Sequence, residues 1–281
     1  MPLTSPRLWV VATPLGNPGD FSPRAREILA GVDAILAEDT RRAARFCAGH
    51  GIPARRLLSF FEHNEEKRTE EALRLLKNGR SLALISDAGT PLLADPGYRL
   101  VRACRKEGLA VSPLPGPSAP TAALSAAGIP PLPYTFLGFL PRDVAGRKAL
   151  FTVFAAMPGA LVFFERRDRL KASLDAAREI LGPREIAICR ELTKTHEEFI
   201  LTRLERSAEL PEELLGELTI VIGPPERAER LPVREIRRLI AEARAGEQRC
   251  LKPRELARRL QDAARGWSVK EIYALMAENK D

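Results

Sequence analysis

The sequence predicts an α/β protein made of two α/β domains followed by a small C-terminal helical extension. Three observations carry that prediction. Residues 8–85 alternate short apolar runs with amphipathic stretches, the rhythm of βαβ units feeding a parallel sheet. After a Pro- and Gly-rich crossing, Pro115-Gly116-Pro117-Ser118-Ala119-Pro120, a second block repeats the alternation until Pro224-Pro225 closes it. Beyond that point the spacing is helical and the charge turns basic, with 14 basic against 10 acidic residues supplying +4 of the chain's +7. The expected divisions are therefore 1–115, 116–225 and 226–281.

In the first block, strand 8–12 runs directly into a turn-rich loop, Thr13-Pro14-Leu15-Gly16-Asn17-Pro18-Gly19-Asp20. A helix follows from Ser22, with Pro23 as its first residue, then strand 34–37 and a basic helix capped by Thr40. Strand 57–60 and a helix through Leu76 lead to strand 82–85. Leu82, Ala83, Leu84 and Ile85 suit a strand covered on both faces. The loop after it, Ser86 through Gly97, is punctuated by Gly89, Pro91, Pro96 and Gly97, and Asp95 is placed to cap a helix beginning at Pro96. Ligands of open α/β sheets bind at this carboxyl edge.

That loop has neither the Gly-x-Gly-x-x-Gly spacing nor the Gly-Lys-Ser/Thr ending with which backbone cradles phosphates. A nucleotide phosphate is therefore a poor ligand for it. Asp87 can instead accept hydrogen bonds from an amine or from ribose hydroxyls, with Gly89 allowing close approach. The plainer alternative is an ordinary strand-to-helix turn with a solvated Asp.

The second block begins after strand 109–114 with a small-residue helix, 121–127, where Ser118 either caps the helix or contacts a ligand. Strand 134–139, helix 147–154, strand 160–164, helix 168–181 and strands 185–189, 198–201 and 218–222 follow. Only turn-like polar residues separate the last two strands, which predicts antiparallel character near the end. Helices then start at Val233, Pro253 and Ser268, the last with Ser268 and Glu271 spaced for a capping box. Leu256, Leu260, Ile272 and Leu275 have core spacing, and Gly266-Trp267 could turn a helix-turn-helix. The same pattern fits a small bundle with solvated charged faces.

At 281 residues and 45% hydrophobic content the chain can fill two cores. No run approaches the ~18 apolar residues of a membrane span. Cys47, Cys104, Cys189 and Cys250 are scattered, with no Cys-x-x-Cys pair, and only His50, His63 and His196 could join them. These features predict a cytoplasmic, reduced protein without a metal. The net charge favours anionic partners.

The motifs Ala12-Thr13-Pro14-Leu15-Gly16-Asn17, Ala37-Glu38-Asp39-Thr40-Arg41, Glu62-His63-Asn64-Glu65, Ser86 through Gly97, Leu114-Pro115-Gly116-Pro117-Ser118-Ala119, Gly138-Phe139-Leu140-Pro141, Arg190-Glu191-Leu192-Thr193-Lys194 and Gly216-Glu217-Leu218-Thr219 together resemble the ribosomal RNA small subunit methyltransferase I family, in order and spacing over nearly the whole chain. The resemblance implies a tetrapyrrole-methylase-like S-adenosylmethionine enzyme, with the cofactor in a cleft between two α/β domains. It also implies 2′-O-methylation of a cytidine in small-subunit ribosomal RNA, and a homodimer. By similarity, Pro14, Asp87, Ala88, Gly89, Thr90, Leu93, Ser118, Ala119 and Leu192 would line the cofactor site. Where the family often has His-Thr after Thr40-Arg41, this chain has Arg42-Ala43. Where it often has His ahead of Glu62, this chain has Phe61. After Phe164-Glu165, Arg166-Arg167-Asp168 replaces a small residue, Pro and His.

Methyl transfer to a hydroxyl needs in-line alignment and benefits from a base. Candidate catalytic residues are His63, Glu38, Lys194 and Glu165, with Asp39, Glu62 and Glu191 as further carboxylates. Arg41, Arg166, Arg167 and Arg190 are the candidate RNA contacts. Each carboxylate has a rival role as a structural ion pair. Two other functions fit the pattern less closely: a same-fold methylase of a tetrapyrrole or other small molecule, and a non-catalytic RNA-binding protein.

Overall fold

The computed structural model describes residues 6–53, 56–211, 214–225, 231–246, 251–261, 263–264 and 266–278. The chain divides into two compact units, 1–225 and 226–281. The first unit holds two five-stranded sheets. One is parallel throughout, with order β3-β2-β4-β1-β5, from β1 (Arg7–Val11), β2 (Ala34–Ala37), β3 (Leu57–Ser59), β4 (Leu82–Ile85) and β5 (Ala110–Leu114).

β2 and β4 are buried at every position, which is why their sequences are unbroken apolar runs. On one face Trp9, Val11, Ile35 and Ile85 pack against α1 (Pro23–Gly31) and α2 (Thr40–Gly49). On the other, Leu8, Leu36, Leu82 and Leu84 meet α3 (Glu65–Lys77) and α4 (Tyr98–Lys106). The connection leaving β1 runs toward β2 and the one leaving β4 runs toward β5, in opposite directions across the sheet. Their adjacent carboxyl ends therefore open a crevice at the switch point. Leu84 is 2% exposed, so Leu84→Ala should cost about 3 kcal/mol. An unchanged denaturant midpoint would contradict its place in this core.

Two caps differ from expectation. The cap of α2 is Asp39, whose carboxylate accepts from the backbone N–H of Arg41 and Arg42, while Thr40 is already helical. An anion reaching two N–H groups at the positive helix end outcompetes a hydroxyl. α4 starts at Tyr98 and not at Pro96, because Gly97 takes φ 133° and donates its N–H to buried Glu65 at 3.1 Å. Asp95 is thus left in the loop. Ser22 and Ser118 occupy cap positions, but neither side chain makes a capping bond.

The second sheet has order β6-β7-β10-β8-β9, from β6 (Tyr134–Phe139), β7 (Ala160–Glu165), β8 (Glu185–Arg190), β9 (Glu198–Arg203) and β10 (Leu218–Ile222). Only β6 and β7 are parallel, so the antiparallel character is present, but the expected reason for it is not. β9 pairs with β8, and β10 inserts between β7 and β8. β10 is apolar enough to be buried at all positions and takes the centre, whereas half-exposed β9 takes the edge. α5 (Ala119–Ala126) covers one face, and α6 (Val144–Phe154) with α7 (Arg167–Leu181) covers the other.

The second unit contains α8 (Val233–Ala245), α9 (Pro253–Leu260) and α10 (Val269–Glu278) around Ile236, Ile240, Leu256, Leu260, Trp267 and Ile272. Gly266 turns the chain at φ 76°, and Trp267 Nε1 donates to the Leu231 carbonyl at 2.8 Å. The capping box forms as expected, with Ser268 N–H on Glu271 at 2.8 Å and Glu271 N–H on Ser268 Oγ at 3.3 Å. Cys47, Cys104 and Cys189 are buried free thiols, and burial pushes Cys104 up to about 11 and Cys189 to about 12. Cys250 lies outside the described residues. Among the described residues, no helix is long and apolar enough to cross a membrane.

Candidate active site

The loops leaving β1 and β4 are stitched together at the switch point. Thr13 N–H donates to the Gly89 carbonyl at 2.9 Å, and Gly89 N–H returns a bond to Thr13 at 3.0 Å. Thr13 Oγ1 adds a bond to the Ser86 carbonyl. Thr90 Oγ1 donates to the Pro117 carbonyl at 2.9 Å, tying this loop to the segment that enters α5. Gly89 sits at φ 78°, and a Cβ there would stand 3.0 Å from Leu15 Cδ2. A side chain there would be strained in its backbone and would crowd Leu15, so glycine is what lets the two loops and a ligand approach this closely.

Above this junction lies a cleft of about 510 Å³, within the size range of small-molecule sites. It is lined by segments 87–90 and 93–95 from the first sheet's loop, by 118–120 at the start of α5, and by 164–168 and 216–219 around the second sheet, with Leu15 and Phe139. Asp87, Ala88, Gly89, Thr90, Leu93, Ser118 and Ala119 all line it, as do Glu165, Arg166 and Arg167. The walls combine apolar surface with carboxylates and a Ser118 hydroxyl that has no partner among the described residues. Such acceptors suit a ligand that carries an amine, ribose hydroxyls and a cationic centre, and nothing at Gly89 is built for phosphate.

The other candidates lie outside the lining. Pro14 sits between the stitched Thr13 and cleft-lining Leu15. Leu192 is buried beneath the cleft, in the cluster that Leu15 and Ala119 pack against. Lys194 lays its stem over Gly16 and reaches Glu191 and Glu217 at 3.0 Å each. Burial alone would lower its pKa, but the two carboxylates outweigh that and raise it. It braces Glu217, which does line the cleft. Arg190 likewise is engaged, with Glu198 at 2.9 Å and the Leu215 carbonyl at 3.0 Å. His63 is exposed on the short turn Glu62–Asn64 beyond edge strand β3, and Arg41 is exposed on α2.

Glu165 lines the cleft, yet its carboxylate is fully engaged. It accepts from Arg166 N–H at 2.9 Å, from the Ser173 hydroxyl, and pairs with Arg169 at 3.3 Å, while its side chain has no solvent exposure. Glu165→Ala should therefore cost about 3 kcal/mol or more in stability, since it strands part-buried Arg169. A variant as stable as the wild type would contradict this bracing role.

Three carboxylates converge where β2 and β4 end. Burial, then the charges of Asp87 and Asp39, raise the Glu38 pKa against the opposing pull of Arg42. Burial, then Glu38 and Asp87, push Asp95 up to about 6. Asp87 itself pairs with Arg42 at 2.9 Å. Because the folded-state pKa of Asp95 is raised, its ionisation destabilises the fold progressively as pH rises from about 4 through about 6. Asp95→Asn should accordingly be more stable than wild type at pH 8 by about 1 kcal/mol, after discounting for screening at a part-exposed site. The gain should vanish below pH 4, and an equal gain at both pH values would rule out buried charge as its cause.

Sequence reasoning placed Asp95 as a helix cap, and it missed Asp168 and the wall contributed by Phe139, Phe164 and 216–219. Phe139 and the Gly216-Glu217-Leu218-Thr219 motif were visible as motifs, but no local signal showed that they face Gly89. Non-glycine residues at positive φ also cluster here: Leu92 at 73°, Glu191 at 52° and Thr193 at 65°. Such backbone is held only where surroundings over-determine it. Glu191 illustrates how: it accepts from Glu217 N–H and Lys194 Nζ, and Gly216, at φ 102°, has no room for a Cβ beside it. The bond from Glu217 N–H leads the causes that lower the Glu191 pKa.

The family model for Tetrapyrrole (Corrin/Porphyrin) Methylases matches residues 7–208. Relatives called ribosomal RNA small subunit methyltransferase I include one from Micromonospora olivasterospora, 45% identical over 78% of this chain and 71% of that one. A Mycobacterium bovis relative is 38% identical over 99% of this chain and 97% of its own, and one from Thermotoga maritima is 43% identical over 78% and 99%. Among solved structures, the methyltransferase CobJ superposes with a TM-score of 0.61 at 21% identity, over 81% of this chain and 98% of that one. A uroporphyrin-III C-methyl transferase from Thermus thermophilus, complexed with S-adenyl homocysteine, gives 0.56 at 17% identity, over 77% and 97%. These two likenesses concern the fold.

Proposed function

The chain belongs to the ribosomal RNA small subunit methyltransferase I family of tetrapyrrole methylases, and from that premise we propose that it uses S-adenosylmethionine to methylate the ribose 2′-oxygen of a cytidine in small-subunit ribosomal RNA. The observation that carries the proposal is the Gly89 cleft, stitched across the switch point and walled by the second sheet. When bound there, S-adenosylmethionine supplies an electrophilic methyl group on a sulfonium. Gly89 lets the ligand lie against backbone, Asp87 and Ser118 offer polar partners, and Leu15, Leu93, Phe139 and Phe164 exclude water. Positioning is the main contribution asked of the protein.

In this reading residues 1–115 present the acceptor and part of the donor site, and 116–225 complete it. Arg166 and Arg167 at the cleft, with exposed Arg41 and His63 at the same carboxyl edge, hold the RNA backbone. Residues 226–281 add basic surface, and the RNA is met within the ribosomal subunit, in the cytoplasm, by a homodimer. The Thermotoga maritima relative, spanned almost completely by 78% of this chain, leaves about a fifth of the chain without a counterpart. An auxiliary role for an extension of that size is consistent with this. The test is transfer of labelled methyl to small subunits from a strain lacking the enzyme, beside a tetrapyrrole control. Label in ribosomal RNA alone is expected, and label in the tetrapyrrole alone would replace this reading with the small-molecule one.

A further inference from the structure

Five carboxylates line the cleft: Asp87, Asp95, Glu165, Asp168 and Glu217. Four are committed. Asp87 pairs with Arg42 at 2.9 Å, Asp168 with Arg166 at 3.1 Å and Glu217 with Lys194 at 3.0 Å, and Glu165 is held by Arg166 N–H, Ser173 and Arg169. Among the described residues, nothing bonds to or pairs with Asp95; only burial and the like charges of Glu38 and Asp87 act on it. It is also half-buried, out of reach of bulk water's full solvation.

We infer that Asp95 is the proton acceptor for the hydroxyl that is methylated, an assignment that rests on the function proposed above. As the O–H bond breaks, its proton passes to a carboxylate oxygen of Asp95. The oxygen's electron pair forms the new C–O bond, and the carbon–sulfur pair leaves with sulfur, so a carboxylate and a sulfonium become a neutral acid and a neutral thioether. A base must be ionised at working pH yet hold a proton strongly, which favours a pKa just below neutrality. The surroundings of Asp95 meet that requirement: burial, then Glu38 and Asp87, raise its proton affinity, Arg42 pairs with Asp87, and Asp39 acts on Glu38. Arg166, Arg167, Asp168 and Glu217 line the same cleft. Asp87 is already tied to Arg42 at 2.9 Å, which leaves Asp95 as the unpaired acid of the loop.

The test uses the full chain acting on small subunits, with Asp95→Asn and Glu38→Gln variants. Asp95→Asn should lower kcat about 100-fold or more, with the KM for subunits and the calorimetric Kd for S-adenosylhomocysteine within about threefold of wild type. The acid limb of the wild-type profile should fall near the midpoint of the Asp95 carboxyl, read directly by carbon NMR in the ligand-free protein at about 6. Glu38→Gln should move both downward. A folded Asp95→Asn variant that keeps kcat, or one that loses S-adenosylhomocysteine binding instead, would overturn the assignment. If that variant does not fold, a wild-type Asp95 carboxyl titrating near 4 would do the same. Wild-type label on a base and not on ribose would overturn the function proposed first, independently of what Asp95→Asn does.

Discussion

Gly89→Val is expected to abolish measurable binding of S-adenosylhomocysteine in a protein that remains folded. Gly89 combines φ 78° with a Cβ position 3.0 Å from Leu15 Cδ2 and 3.7 Å from the Pro117 carbonyl. A β-branched residue pays heavily in the left-handed region and would fill the face that the ligand needs. The loop's remaining escape is to move, which breaks the paired bonds to Thr13 at 2.9 and 3.0 Å. Binding should fall at least about 100-fold, equivalent to about 3 kcal/mol. Gly79→Val is the control, because Gly79 has φ 79° with nothing within 4 Å of its Cβ position. It should carry the backbone strain while leaving binding intact. Unchanged affinity in folded Gly89→Val would move the donor site elsewhere.

The second large effect is expected from the extension. Arg254, Arg258 and Arg259 are exposed on α9, whose opposite side buries Leu256, Ala257 and Leu260. Replacing all three by Gln leaves that core untouched and removes three cations from one helix. If they meet phosphates, affinity for ribosomal RNA should drop tenfold or more at moderate salt. The slope of log affinity against log salt should also shallow by about 2 to 3, because each phosphate neutralised releases close to one counterion. Calorimetric binding of S-adenosylhomocysteine should not change. An unaltered salt slope would show that α9 faces solvent or another partner.

Much of the first sheet was legible because β2 and β4 are buried on both faces, so Ala34 to Ala37 and Leu82 to Ile85 read as apolar runs with turn formers at each end. The place of β10 was not legible. The turn-like residues between it and β9 suggested antiparallel character there, whereas its burial at every position accounts for its place between β7 and β8. The cleft shows the same division. The Asp87 to Thr90 loop carried its own evidence in the absence of a phosphate-binding pattern and the presence of a close-approach glycine. Asp95 did not, because Asp-Pro reads as a helix start until Gly97 is seen turning the chain and binding Glu65. The commitment of Glu165 to Ser173 and Arg169 also depends on α7 folding back onto β7, which no local motif encodes.

Nucleoside analysis of small-subunit RNA after reaction with labelled S-adenosylmethionine reads the methylated atom itself. A methyl group on the ribose oxygen blocks alkaline cleavage at the adjoining linkage, since that cleavage needs the free 2′-hydroxyl. Label is expected as 2′-O-methylcytidine within an alkali-resistant dinucleotide. Label recovered on a base, in an alkali-sensitive nucleotide, would contradict ribose methylation.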